Sequence, residues 1–131
     1  MPLSIDVLQF LKDEPSGGPE RRVVKLRADI ASKDELLEEI ARQAAFPSYF
    51  GMNWDALNDC LMDLSWLLER ELFIWHAGIP KLPKKDLAIY LTILCDAIVA
   101  WRKRGEHVLN AGFPESCRPR LVHLDGWDAT L

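Results

Sequence analysis

Leu72-Phe73-Ile74-Trp75 is a run of large apolar residues set between two stretches of helical periodicity. A continuous apolar run of this length fits a buried strand, and its neighbours decide what kind of sheet it joins. Upstream, Arg21 to Arg27 alternates around Val24 and Leu26 and reads as a strand. Ser32-Lys33-Asp34-Glu35 then has the form of a capping box, with Leu36, Leu37, Ile40, Ala41 and Ala44 at helical spacing behind it and Pro47 ending the helix. Gly51 and Asn53 break the chain before a second helix, predicted over Trp54 to Arg70. Downstream, Pro80 and Pro83 mark a loop, and Asp86 to Arg104 reads as a long apolar helix ending on Arg102-Lys103-Arg104 and Gly105, as a helix C-terminus prefers.

Strands separated by helices give an α/β domain with a small parallel sheet. Three strands are expected, near Val23–Arg27, Leu72–His76 and Arg120–Leu124. The length suits one domain, residues 1–131, with a core of about 22–125 and an N-terminal extension over 1–21. Asp13 to Pro19 reads as a loose turn, and Glu106 to Pro119 as an added loop.

Net charge narrows the function classes. At −4, with a pI near 5.3, the chain lacks the clustered cations that grip nucleic-acid phosphates, and it is better suited to a basic partner. Cys60, Cys95 and Cys117 are odd in number and form no C-x-x-C pair, which fits reduced thiols in the cytoplasm. The first residues carry no basic region of a secretory signal, and no apolar stretch reaches the length of a membrane span. A cytoplasmic monomer is the expectation.

The second helix carries the most information. At 100° per residue, Ala56, Leu57, Cys60, Leu61, Leu64, Leu67 and Leu68 fall on one arc, with Trp54 at its border. The other arc holds Asp55, Asn58, Asp59, Met62, Asp63, Ser65, Trp66, Glu69 and Arg70. Asp55, Asp59 and Asp63 are four apart, so like charges line up on neighbouring turns. The helix dipole favours Asp55 but fades before Asp59 and Asp63. No Lys or Arg lies between Arg42 and Arg70. A solvated face is the bland reading; Trp66 and Met62 among the carboxylates favour a binding surface.

Phe46-Pro47-Ser48-Tyr49-Phe50-Gly51-Met52-Asn53-Trp54-Asp55-Ala56-Leu57-Asn58-Asp59-Cys60-Leu61 resembles the signature of the barstar family. The resemblance implies a three-stranded parallel sheet packed with helices, and inhibition of a small basic ribonuclease by occlusion of its active site. Carried over residue by residue, it assigns partner contacts to Tyr49, Asp55 and Asp59, with Asn53 in the loop beside them. Asn58, Met62, Asp63 and Trp66 complete the candidate surface. Asn58 stands where the best-known inhibitor has a binding Trp, Phe50 replaces a second Tyr, and Ala100 takes the place of a contacting Glu. Those departures keep a second reading open, an interaction module of the same fold that binds a non-nuclease protein.

An enzyme is not expected. Asp55 and Asp59 lie on one exposed face with no second wall to raise a carboxyl pKa. His76, His107 and His123 with Cys117 form no metal-ligand spacing and read as loop or strand-edge histidines. Cys60 and Cys95 sit on apolar helix faces and read as core residues. No cofactor, metal or direct nucleic-acid contact is implied.

Overall fold

A computed structural model describes residues 5–122. Four strands, β1 (Gln9–Leu11), β2 (Arg21–Leu26), β3 (Glu71–His76) and β4 (Val108–Pro114), form one sheet in the order β1-β4-β3-β2, and all neighbours are parallel. The helices are α1 (Lys33–Ala44), α2 (Trp54–Asp63), α3 (Lys84–Arg104) and a short α4 (Arg118–Val122). The α/β class and parallel sheet agree with the sequence reading, but the described residues form four strands rather than three.

Local chemistry accounts for α1. The Glu35 N–H donates to Ser32 Oγ at 3.1 Å, and Glu35 Oε1 accepts from the Ala31 N–H at 2.9 Å. Leu36, Leu37, Ile40 and Ala44 then bury one stripe against the sheet. In β3, Leu72 and Ile74 join that core together with Val24, Leu26, Leu109, Ala111 and Phe113. Phe73 and Trp75 point to the opposite face and are nevertheless only 1% and 5% exposed.

The connection between β1 and β2 explains their burial. These strands are the two edges of the sheet, so residues 12–20 must cross it, and a right-handed crossover takes them over the face that carries no helix among the described residues. Glu14 pairs with Lys25 at 2.9 Å, Arg21 Nη1 donates to the Ser16 carbonyl at 3.4 Å, and the Arg21 guanidinium lies 5.4 Å from the centre of the Phe73 ring. The N-terminal segment is thus part of the sheet and its cover.

Two expected elements are corrected. The strand placed at Arg120–Leu124 is not one: Arg118 to Val122 is helical, while His123 and Leu124 lie outside the described residues. The strand is Val108–Pro114, within the stretch read as a loop. Asn110, Gly112 and Pro114 disguised it, because they alternate onto the helix-free face. There the Asn110 amide donates to Glu71 Oε2 at 2.8 Å. Gly112 leaves room for Phe73, whose ring carbons would lie 3.1 Å from any Cβ added.

The second helix ends at Asp63, not Arg70. Leu64 takes a left-handed conformation with φ 47°. Its N–H donates to the Cys60 carbonyl at 3.2 Å, while its side chain stays fully buried. Leu64 and Leu67 thus continue the apolar pattern into a turn that is no longer helical. Leu68, placed on the core arc by periodicity, is 92% exposed. His76 is fully buried rather than at a strand edge.

Candidate protein-binding groove

The loop between α1 and α2 is held by aromatic contacts and caps. Ala45 ends α1 in a left-handed conformation, and the Phe46 N–H donates to the Ala41 carbonyl at 2.9 Å. The Phe46 ring packs edge-on against both Phe50, at 5.1 Å, and Trp66, at 5.0 Å. A turn closed by the Phe50 N–H on the Pro47 carbonyl leaves Tyr49 74% exposed. Asn53 caps α2: its Oδ1 accepts from the Ala56 N–H at 2.7 Å, and its Nδ2 donates to the Gly51 carbonyl at 3.3 Å.

Asp55, Asp59 and Asp63 follow on successive turns of α2, all exposed. They line a groove of about 470 Å³ with Tyr49, Phe50 and Asn53, and with Ala56 and Cys60 as its wall. Among the described residues, no Lys, Arg or His belongs to that lining. Burial, then the Asp59 and Asp63 charges, push the Cys60 thiol pKa upward, so Cys60 stays protonated and acts as an apolar wall.

The far end of α2 is fixed by α3. The Trp101 Nε1–H donates to the Leu61 carbonyl at 2.7 Å, and Arg104 Nη1 donates to the Met62 carbonyl at 2.5 Å. Arg104 also lies over the Trp101 ring at 3.8 Å. Two carbonyls left without helical partners are satisfied in this way, and a cation complements the negative end of the dipole. At the near end Trp54 packs against Tyr90 at 6.1 Å. The helix is held at both ends while its acidic flank stays open.

The candidate residues separate accordingly. Tyr49, Asn53, Asp55, Asp59 and Asp63 meet in the groove. Asn58 and Met62 are half-buried on the other flank of α2 and do not line it. Trp66 is corrected: it lies beyond the end of α2, is half-buried, and packs against Phe46. Phe46 packs in turn against Phe50, the neighbour of Tyr49. Sequence reasoning passed over Met52, which is exposed at φ 54°, and the Trp101–Arg104 clamp. A Trp on an apolar helix face followed by a basic run gives no sign that both reach another helix.

His76, Tyr90 and Cys95 are buried away from the groove. His76 is sealed between β4 and α3. Its Nδ1–H donates to the Gly112 carbonyl at 2.9 Å, and its Nε2 accepts from the Tyr90 hydroxyl at 2.6 Å. Burial lowers the His76 pKa to about 4 and raises that of Tyr90. Burial, with the Asp96 charge, pushes the Cys95 thiol up to about 12. Among the described residues no group of three His, Cys, Asp or Glu side chains is placed to hold a metal ion, and no helix is long and apolar enough to cross a membrane.

A family model described as Barstar (barnase inhibitor) matches residues 21–110. The matched span runs from the start of β2 into β4 and contains the whole groove. It leaves out β1 and residues 12–20, the cover of the helix-free face. No curated protein sequence matches the chain.

Proposed function

The chain belongs to the barstar (barnase inhibitor) family, and from that premise we propose that it blocks a small basic ribonuclease by seating the α2 groove in the nuclease active site. One observation carries the reading: Tyr49, Asn53, Asp55, Asp59 and Asp63 line a single groove with no cation among its described lining residues. A ribonuclease holds RNA phosphates with Arg, Lys and His side chains. Carboxylates in that position accept charge-assisted hydrogen bonds from the same groups. Asp55 and Asp59 are the principal anions of the plug, Asp63 extends it, and Tyr49 supplies the aromatic contact at its rim.

The free protein needs little rearrangement to bind, since capping by Asn53 and the Trp101–Arg104 clamp hold α2 in place before any partner arrives. In this reading the chain is a monomeric immunity-type protein of the cytoplasm that neutralises a nuclease toxin, and it has no catalytic step of its own. Asn58 and Met62 contribute at the edge of the contact.

Barnase is the natural first target for a test. RNA cleavage by barnase and by a panel of small basic ribonucleases is followed as the chain is added. Stoichiometric one-to-one loss of cleavage by at least one of them is the expected result. Stopped-flow association with that enzyme should slow steeply with salt while dissociation changes less. Undiminished cleavage across the panel, with the chain folded and in excess, would assign the groove to a non-nuclease protein instead.

A further inference from the structure

Arginine is always charged, and a chain of net charge −4 has carboxylates enough to pair every one. Arg21, Arg22, Arg27, Arg42, Arg104 and Arg118 are paired in this way. Among the described residues Arg70, Arg102 and Arg120 have no carboxylate partner. Arg70 and Arg102 line one cleft of about 210 Å³, between the end of α3 and the start of β4. Arg120 lies apart, in α4.

The cleft is braced on all sides. The Arg70 carbonyl accepts from the His107 Nδ1–H and from the Val108 N–H, each at 3.0 Å, and Arg70 Nη2 donates to the Gly105 carbonyl at 3.3 Å. His107 stands edge-on to Trp101 at 5.5 Å, and the buried Trp101 and Ile98 form an apolar floor. The carbonyl end of α3, which would oppose an anion, is partly covered: the Gly105 N–H closes the Trp101 carbonyl at 2.8 Å, and Arg70 closes that of Gly105. No Asp or Glu lines the cleft among the described residues. Asn110, at its margin, donates to Glu71 Oε2 at 2.8 Å, while Glu71 Oε1 accepts from Arg21 at 2.8 Å, so that carboxylate is already engaged.

A basic ribonuclease seated in the α2 groove does not account for this oppositely charged cleft, which shares no lining residue with the groove. We propose that the cleft is a binding site for a phosphate group, free or as the terminal monoester of a small molecule, held by the guanidinium groups of Arg70 and Arg102 with His107 beside them. One bidentate guanidinium satisfies a carboxylate, whereas two guanidinium groups and an imidazole match the three or more acceptor oxygens of a phosphate. Arg70 commits one of its five N–H donors to Gly105 and keeps the rest. His107 commits Nδ1 to the Arg70 carbonyl and keeps Nε2. The volume admits a phosphate with a few further atoms and falls short of the pockets that enclose larger ligands.

Amide NMR titrations of the full chain test this with inorganic phosphate, ribose 5-phosphate and acetate, at fixed pH and constant ionic strength. Both phosphate probes should give saturable shifts centred on Gly105 to Leu109, and the tighter of the two identifies a free phosphate or an ester as the occupant. Acetate should bind at least about tenfold more weakly than either. Arg70→Gln and Arg102→Gln should each weaken phosphate binding at least about tenfold, as the loss of hydrogen bonds between charged groups would give. Arg120→Gln, which removes an unpaired arginine from outside the cleft, should bind as the wild type does. Thermal melts accompany each variant; Arg102 makes no ion pair among the described residues, so its loss leaves the bracing of the cleft in place. Shifts that fail to saturate or that spread over the other cationic residues, acetate binding as tightly as phosphate, or an Arg120→Gln effect equal to that of Arg102→Gln would each overturn the proposal.

Discussion

The indole N–H of Trp101 is bonded to the backbone carbonyl of Leu61 at 2.7 Å, so the last turn of α3 holds the last turn of the helix that carries the acidic groove. Both groups are buried. Trp101→Phe keeps most of the packing but leaves the Leu61 carbonyl without its donor. A loss of about 1–3 kcal/mol in urea unfolding is expected, the cost of stranding a buried acceptor. Hydrogen exchange should speed up in the last turn of α2 before it does in β3. An unchanged unfolding midpoint would mean that the carbonyl finds another donor.

Asp59 sits on the second turn of α2 between two other carboxylates, and neither capping nor core packing accounts for its charge. In the inhibitor reading, Asp59→Ala should weaken binding to the inhibited ribonuclease by about 2–5 kcal/mol, since the cations of the nuclease lose their mate. Thermal stability should hold or rise slightly, because a like-charge repulsion goes and Ala is the better helix former. Asp63→Ala, further along the groove, should cost less. Calorimetric titrations paired with thermal melts separate the two effects. Full affinity in Asp59→Ala would rule out the active-site plug.

Acid should destabilise the fold through His76. Its pKa is lowered from 6.5 to about 4 in the folded chain by burial. Above pH 6.5 the ring is neutral whether the chain is folded or not, and it contributes no pH dependence. As the pH falls from 6.5 towards 4, the unfolded chain takes up a proton that the folded chain refuses, so stability drops. The total is on the order of 3 kcal/mol by linkage. Urea melts across that range should show the decline. His76→Phe, less stable at pH 7 because the Tyr90 hydroxyl and the Gly112 carbonyl lose their partner, should show a flatter one.

Gly112→Ala tests the packing of the helix-free face. The new methyl would lie 3.1 Å from two carbons of the Phe73 ring and 3.4 Å from the Gln9 carbonyl, so the ring or β1 has to move. A destabilisation of about 1–3 kcal/mol is expected from overpacking. Shrinking the neighbour in Gly112→Ala/Phe73→Leu should recover part of it, a non-additivity that residues in contact show. Strict additivity in denaturant melts would place the strain elsewhere.

The elements most visible in the sequence are those whose side chains follow one period without interruption. Val24 and Leu26 in β2, Leu72 to Trp75 in β3, and the Ser32–Glu35 box of α1 belong to that class. Strand β4 was hidden because half its residues serve close packing or hydrogen bonding on a face with no helix, which calls for Asn110 and Gly112 rather than apolar bulk. The end of α2 was hidden for the opposite reason: Leu64 and Leu67 keep the helical spacing after the backbone has left the helix. In the groove, the aligned carboxylates and Tyr49 were legible from spacing and resemblance. Trp66 was misplaced because a wheel extended past Leu64 turned it outward, whereas the chain folds it back onto Phe46.

The crossing of residues 12–20 over the sheet has a practical side. It lies on the helix-free face, whereas α2 presents its groove from the helical layer, so a handle attached in one place does not shadow the other. A fluorophore or surface linker on Ser16, an exposed residue bonded through its backbone carbonyl alone, would orient immobilised molecules with their carboxylates towards solution. Capture through α3 would instead disturb the Trp101–Arg104 clamp, and a sensor chip built that way would understate whatever the groove binds.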